Sequence, residues 1–364
     1  MGHQHGLETR LARAMALVAA SALTLASCGG AAATPTTPPA TTAPSATVAA
    51  EPSPTADAYS EVCAAAVSEG GFTHWHNNGD AMETVYAAFR AAHPGIDVEV
   101  VVLPNDQNAQ RVLTEAAAGR QITPDLSSGS LDVFNTILER DLVANDIDWA
   151  GLGVSSDVVH ERNFIRNFRV PFGLTYNTDR LGADDLPSTW EEVIDEKWRG
   201  RVVVDARGRP FDLMSLEWGR EEALDYVKRL KETIQPIVVS GATNSIVAVI
   251  SGEADFSTGG RSAETVELKS TGAPIDIKYL DVLPTNEGYN FIYRGARHPN
   301  AARCFVAWLA RDGTEIFNEA LYRTNDAIPP QAPAGAVVVS IESAEDAEAV
   351  QSVAEEMVEV WSGG

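Results

Sequence analysis

Strand-like and helix-like segments alternate in two separate blocks of this chain, and that alternation restricts its fold more than any single motif. In the first block an extended run over 72–75 precedes a helix in which Met82, Val85, Tyr86 and Phe89 recur at helical spacing. Asp80, with Glu83 three residues on, reads as its capping pair, and Pro94-Gly95 ends it. A second strand over 96–103, a helix over 109–118, a third strand over 125–127 and a helix over 131–139 follow. This order predicts a largely parallel sheet with a ligand crevice at the carboxyl ends of its strands. The loops 76–80 and 128–132 then face that crevice.

The second block repeats the pattern. A strand over 202–205 leads through Arg207 and Arg209 to a helix near Phe211, and a helix over 221–233 turns Leu224, Val227 and Leu230 inward. A strand over 237–239 is followed by Gly241-Ala242-Thr243-Asn244-Ser245, which opens a helix over 246–251. A strand over 254–258 is followed by Gly259-Gly260-Arg261-Ser262 and another helix, then a strand over 275–279. Three loops bearing glycine, hydroxyl or arginine thus feed three helix starts.

The blocks are joined by 170–207, where an extended run over 170–176 meets a turn at Asn177 and Asp179. Pro187 and Ser188 then open a helix carrying Trp190, Val193 and Ile194, before the strand that follows Arg201. Tyr176-Asn177, Leu186-Pro187, Thr189-Trp190 and Glu196-Lys197-Trp198-Arg199-Gly200 succeed one another there. This series resembles the first interdomain crossover of the bacterial solute-binding proteins that serve ATP-driven importers, in the branch named for ferric iron. The run 283–289 resembles the family's return crossing, with a returning strand over 290–293 and helices over 301–309 and 314–321 that would pack on the first lobe. The resemblance covers about 60–330. A terminal helix over 343–361 is capped by Ser343 and Asp346.

The resemblance implies a two-lobed α/β fold of the type II periplasmic-binding-protein kind, with two hinge crossovers and a ligand cleft between the lobes. On that reading 58–174 form the first part of lobe 1, 175–285 form lobe 2, and 286–364 return to lobe 1 with the C-terminal helices. It implies a small-molecule solute, an ABC-transporter permease as partner, and a monomer.

The beginning of the chain bears on location. Arg10 and Arg13 precede an apolar run over 14–26 that meets Leu25-Ala26-Ser27-Cys28, the pattern of a lipoprotein signal over 1–27 with Cys28 as the lipid-bearing residue. The run is too short to span a bilayer, which takes ~20 apolar residues. Residues 28–57, largely Ala, Thr, Pro and Ser after Cys28, read as a solvated tether. The expectation is export and lipid attachment to the cell membrane on its outer or periplasmic side.

A formal net charge of −24 disfavours nucleic acid, whose phosphates require a basic footprint. Cys63 and Cys304 are an even pair in an oxidising compartment, which suggests a disulfide, while two separate buried thiols remain the alternative.

For the solute, helix starts favour an oxyanion, and Arg207, Arg209 and Arg261 add fixed positive charge after second-block strands. The expected contacts are His76, Asn77, Ser128, Ser130 and Tyr176 from the first lobe and hinge, with Arg207, Thr243, Asn244 and Arg261 from the second. A phosphonate, a sugar phosphate or a small carboxylate fits this set. Ferric iron, as transported cargo, is the alternative. Iron-binding members of the family use adjacent tyrosines after a second-lobe strand, whereas the matching loop here reads Ser257-Thr258-Gly259-Gly260-Arg261-Ser262. His76, Tyr176 and Tyr289 are then the metal candidates. A polyamine would call on Asp132, Trp75 and Tyr176, against the two arginines.

Catalytic motifs do not assemble. The chain contains no Gly-x-Ser-x-Gly, no Cys-x-x-Cys and no phosphate loop, and His160-Glu161 meets Phe164 where a zinc protease needs its second histidine. The reading is a binding protein rather than an enzyme, with no resident cofactor, and a secreted enzyme with an unrecognised site is the remaining alternative.

Overall fold

The computed structural model describes residues 57–160 and 163–363. Cys28 and the tether lie outside them. Among the described residues eleven strands form one continuous mixed sheet, and no helix is long and apolar enough to cross a membrane.

The first half of the sheet is built from β1 (Gly71–His76), β2 (Asp97–Val102) and β3 (Leu126–Gly129), all parallel. On one face α1 (Ala58–Glu69), α2 (Met82–Ala92) and α9 (Pro299–Trp308) bury Phe72, Phe89 and Phe305 in one cluster. On the other, α3 (Asn105–Ala117) and α4 (Leu131–Glu139) bury Val112, Phe134 and Phe291. The apolar residues of α2 are on the stripe expected from its period, but its start differs. Asp80 lies inside a short 3-10 turn, Gly79–Ala81, and the cap position falls on Ala81, which makes no side-chain capping bond.

The second half follows the same plan with β6 (Val202–Asp205), β7 (Ile237–Val239) and β8 (Phe256–Arg261), again parallel. Its faces are covered by α5 (Phe211–Trp218) and α6 (Arg220–Ile234) on one side and by α7 (Ala242–Ile250) on the other, near α8 (Ser262–Ser270). The helix expected at Pro187 is reduced to a 3-10 turn, Glu191–Ile194. Trp190 explains this. Its amide donates to Asp281 and its indole N–H to the Val282 carbonyl, at 3.0 and 2.9 Å, so the segment is docked onto the neighbouring chain instead of winding on itself.

Two long strands tie the halves together. β5 (Phe164–Asn177) pairs with β10 (Val282–Ile292) as far as Pro171, then from Phe172 onward with β8 and with β9 (Ile275–Lys278). β10 runs back to lie antiparallel to β3. These are the two crossovers of a two-lobed fold, and the short strands expected at 170–176 and 290–293 are the ends of these longer ones. β4 (Val159–His160) pairs with the start of β5.

After α9 and α10 (Thr314–Leu321), β11 (Val337–Val339) adds a third, parallel tie beside the start of β10. The final helix α11 (Ala344–Ser362) begins at the Ser343/Asp346 capping box. It corrects the expected assignment of the whole C-terminal segment to lobe 1. Ala347 and Val350 pack in the first-lobe cluster containing Phe134, whereas Val353, Met357 and Trp361 pack in the second-lobe cluster with Phe211 and Tyr226. A 19-residue helix with an apolar stripe along its length can satisfy both lobes at once.

Cys63 of α1 and Cys304 of α9 form a disulfide, with sulfurs 2.08 Å apart.

Candidate functional site

The carboxyl ends of β1, β3, β6 and β8 point to the seam between the lobes, where two chambers adjoin. The larger, about 500 Å³, is lined by Ser130 and Asp132 from the first lobe, by Arg207, Arg209, Asp212, Ala242 and Arg261 from the second, and by Val350, Gln351 and Ala354 of α11. The smaller, about 250 Å³, lies against the hinge strands at Phe168, Val170, Asn286 and Glu287, and takes in Asn77, Ser128 and Arg323. Ser130, Asp132, Asn286 and Arg261 line both.

Helix geometry delivers the polar groups. Ser130 is the N-cap of α4 and Arg261 that of α8, and neither side chain makes a capping bond, so the first-turn amides of both helices are left without a side-chain acceptor at the chambers. The guanidiniums are less free than their positions suggest. Arg207 Nη2 donates to Asp205 at 2.7 Å, and its Nε also reaches that carboxylate. Burial works to raise the Asp205 pKa, but bonds from Arg207 and from the Arg207 and Gly241 amides outweigh it and hold the carboxylate below its ordinary value. Arg261 is paired with Glu264 of its own helix. Arg209 donates to Asp132 across the seam at 2.9 Å and sits 3.3 Å from Asp212, leaving Nη1 buried without a partner. Glu287 is held by Arg169 at 2.7 Å.

Ser128 lines the smaller chamber, yet its hydroxyl is occupied. It donates to Asn290 Oδ1, so at 2.6 Å it accepts from His74 Nε2, and His74 Nδ1 in turn accepts from the Tyr86 hydroxyl at 2.8 Å. Burial, with the neighbouring His76, holds His74 well below the usual histidine range, which keeps it neutral and suited to this one-directional chain. His76 is buried at the end of β1 and lines neither chamber. Its Nδ1 accepts from the Asn78 amide at 3.0 Å, its Nε2 has no partner, and burial together with the charge of Arg323 pushes its pKa down to about 4.

Of the expected contact residues, the structure therefore brings Asn77, Ser128, Ser130, Arg207 and Arg261 to the chambers. Tyr176 is not there. By that point β5 has entered the second lobe, and its alternation turns Leu174 and Tyr176 together into that lobe's core. Thr243 and Asn244 are exposed within the first turn of α7, because that helix starts at Ala242 rather than Ile246, and Ala242 takes the lining position. Nor are the metal candidates brought together. Tyr289 is buried in a first-lobe cluster with its hydroxyl donated to Glu287, Tyr176 belongs to the second-lobe core, and no tyrosine lines either chamber among the described residues. Burial raises the pKa of both tyrosines, which opposes a phenolate. The sequence reading passed over Asp212, Asn286 and Arg323, and gave α11 no place in the cleft. Arg323 follows α10 with no local motif to mark it.

Two α/β lobes, hinged twice and enclosing polar chambers at their strand ends, define a binding protein of the type II periplasmic class. The model of the bacterial extracellular solute-binding protein family matches residues 75–316, and the chain belongs to that family. Membership implies export. An uncharacterized protein of Haemophilus influenzae is 30% identical over 159 residues, 40% of this chain and 44% of its own length. Iron uptake protein A1 of Synechocystis is 27% identical over 197 residues, 50% of this chain and 51% of its own. The chain thus spans about half the length of the curated relatives it matches. Among solved structures, iron-bound HitA from Pseudomonas aeruginosa superposes with a TM-score of 0.63 at 18% identity, over 79% of this chain and 99% of HitA. AfuA from Actinobacillus pleuropneumoniae, with fructose-6-phosphate bound, gives 0.60 at 18% identity, over 80% and 98%.

Proposed function

We propose that this protein is the solute receptor of an ABC importer, capturing a small anionic solute by closure of its lobes and handing it to a membrane permease. The observation that carries this reading is the gathering of four arginines, Arg207, Arg209, Arg261 and Arg323, with the open N-termini of α4 and α8 around two adjoining interlobe chambers. Guanidinium groups and first-turn amides are the donors that carboxylate, phosphonate and phosphate oxygens pair with best. A chamber of about 500 Å³ suits a sugar phosphate or a smaller acid, and the fructose-6-phosphate bound in AfuA supports that class. Lipid attachment at Cys28, with 28–57 as tether, would keep the receptor beside its permease.

Ferric iron is the second reading, favoured by the names of Iron uptake protein A1 and iron-bound HitA. Here it would call for a ferric complex bringing its own anionic chelator to the arginines. A thermal-shift screen of ligand-stripped protein separates the two readings. A phosphonate, sugar phosphate or carboxylate at 100 times its dissociation constant adds about 2.7 kcal/mol to stability. A shift with ferric citrate but none with citrate or any organic anion overturns the organic-anion reading in favour of iron.

A further inference from the structure

We infer that the solute's anionic group docks on Arg323 in the smaller chamber, with the rest of the solute extending into the larger one; this rests on the anionic-solute reading above. Every other arginine lining the chambers already has a carboxylate. Arg207 has Asp205, Arg209 has Asp132 and Asp212, and Arg261 has Glu264. Arg323 makes no ion pair among the described residues, although it too lines a chamber, and Glu264 and Glu267 act on it only from beyond contact distance. A compensated guanidinium gains little from a further anion, because the incoming group must compete with a carboxylate already in place. One that no carboxylate touches, largely withdrawn from water, gains more.

The surroundings of Arg323 hold its plane in place. Its guanidinium lies over the Phe168 ring, 3.8 Å from the centroid, and its Nη1 donates to Asn78 Oδ1 at 2.9 Å. That leaves the edge formed by Nε and Nη2, the pair of parallel N–H groups that matches a carboxylate or phosphoryl oxygen pair. Nε is cut off from solvent and has no partner, an arrangement costly unless something supplies an acceptor. Desolvation pushes the Arg323 pKa down to about 10, opposed by the carboxylates of Glu264 and Glu267 and assisted by the nearby Arg261, and the side chain still carries its charge at neutral pH. The start of α4 at Ser130 and that of α8 at Arg261 line the same small chamber. The chemical class is therefore a carboxylate, phosphonate or phosphate monoester whose charged end faces the hinge.

The test is isothermal titration of full-length protein, stripped of endogenous ligand, with methylphosphonate, acetate and fructose 6-phosphate, in wild type and in Arg323→Gln, Arg323→Lys and Arg207→Gln. For whichever anion binds wild type, Arg323→Gln is expected to lose about 10- to 100-fold in affinity, as for loss of a charge-assisted hydrogen-bond pair. Arg323→Lys should lose less and Arg207→Gln less than Arg323→Gln. If Arg323→Gln folds poorly, a loss of at least about threefold in a stable Arg323→Lys still supports the site, since a point charge cannot replace the fork. An anion that binds Arg323→Gln, or a stable Arg323→Lys where the Gln variant fails, as tightly as wild type overturns this assignment and leaves the anionic-solute reading standing. Failure of all three probes to bind wild type counts against both.

Discussion

Arg209 of the second lobe donates to Asp132 at the start of α4 in the first lobe, so a single 2.9 Å contact ties the two sides of the cleft together. The same guanidinium neutralises Asp212, which is almost wholly buried and whose pKa is raised by that burial. The two ends of the pair are therefore unequal. Asp132→Asn should cost about 1 kcal/mol or less, the scale of a partly exposed pair, and should favour the open form. Arg209→Gln strands a buried carboxylate and should cost roughly 3 kcal/mol. Urea denaturation measures both costs, and solution scattering of ligand-free protein should give a larger radius of gyration for Asp132→Asn. Equal costs, or an unchanged radius, would refute the tie.

The buried histidines set an acid limit. His76 titrates near 4 in the folded protein against an ordinary value of 6.5, so between these the unfolded chain binds the extra proton. Stability should therefore fall as pH drops from about 6.5 to about 4, by roughly 3 kcal/mol from His76, and this contribution should level off below. His74, held well below the usual histidine range by burial, acts with the same sign. Urea midpoints taken across that range should show a shallower slope for His76→Gln; an unaltered slope would remove His76 from the account.

The disulfide closes a very long loop, with Cys63 and Cys304 separated by 241 positions. Replacing both by alanine should cost about 2–5 kcal/mol. Denaturation with and without reductant provides the check, and wild type with reductant should approach the double variant. Identical midpoints for oxidised and reduced wild type would mean that the bridge adds nothing.

Gly288 stands on β10 where its register with β5 shifts. A Cβ there would meet ring atoms of Phe168 at 2.0 Å, so the ring has to move, and Arg323 lies over the same ring. Gly288→Ala should cost about 1–3 kcal/mol through overpacking and weaken anion binding in the same variant. Full affinity in a destabilised Gly288→Ala protein would show that Phe168 is not needed to hold Arg323.

What could be read from sequence was what local chemistry decides. The α4 helix falls on 131–139 and β6 on 202–205 as expected, and the Ser343/Asp346 cap is in place, because turn residues and apolar period act within a few positions. Tyr176 fails for a different reason. Its direction depends on which partner β5 has reached, and a two-residue period does not say where a long strand passes from one lobe into the other. Arg207 and Arg261 were visible as cations after strands, while the carboxylates that compensate them, Asp205 and Glu264, carried no mark of that role. Arg323 matters because no carboxylate among the described residues touches it, a property that only the assembled structure displays.

The helix α11 also bears on how such a protein can move. With its first turns on α4 and its last turns on α5 and α6, it lies along one side of the seam as a splint. A box with a splint across one side does not gape evenly. A swing of the lobes about a line near that helix and the hinge strands would form its widest gap on the opposite flank. Opening on that flank would leave Val350 and Ala354 as part of the cleft's back wall.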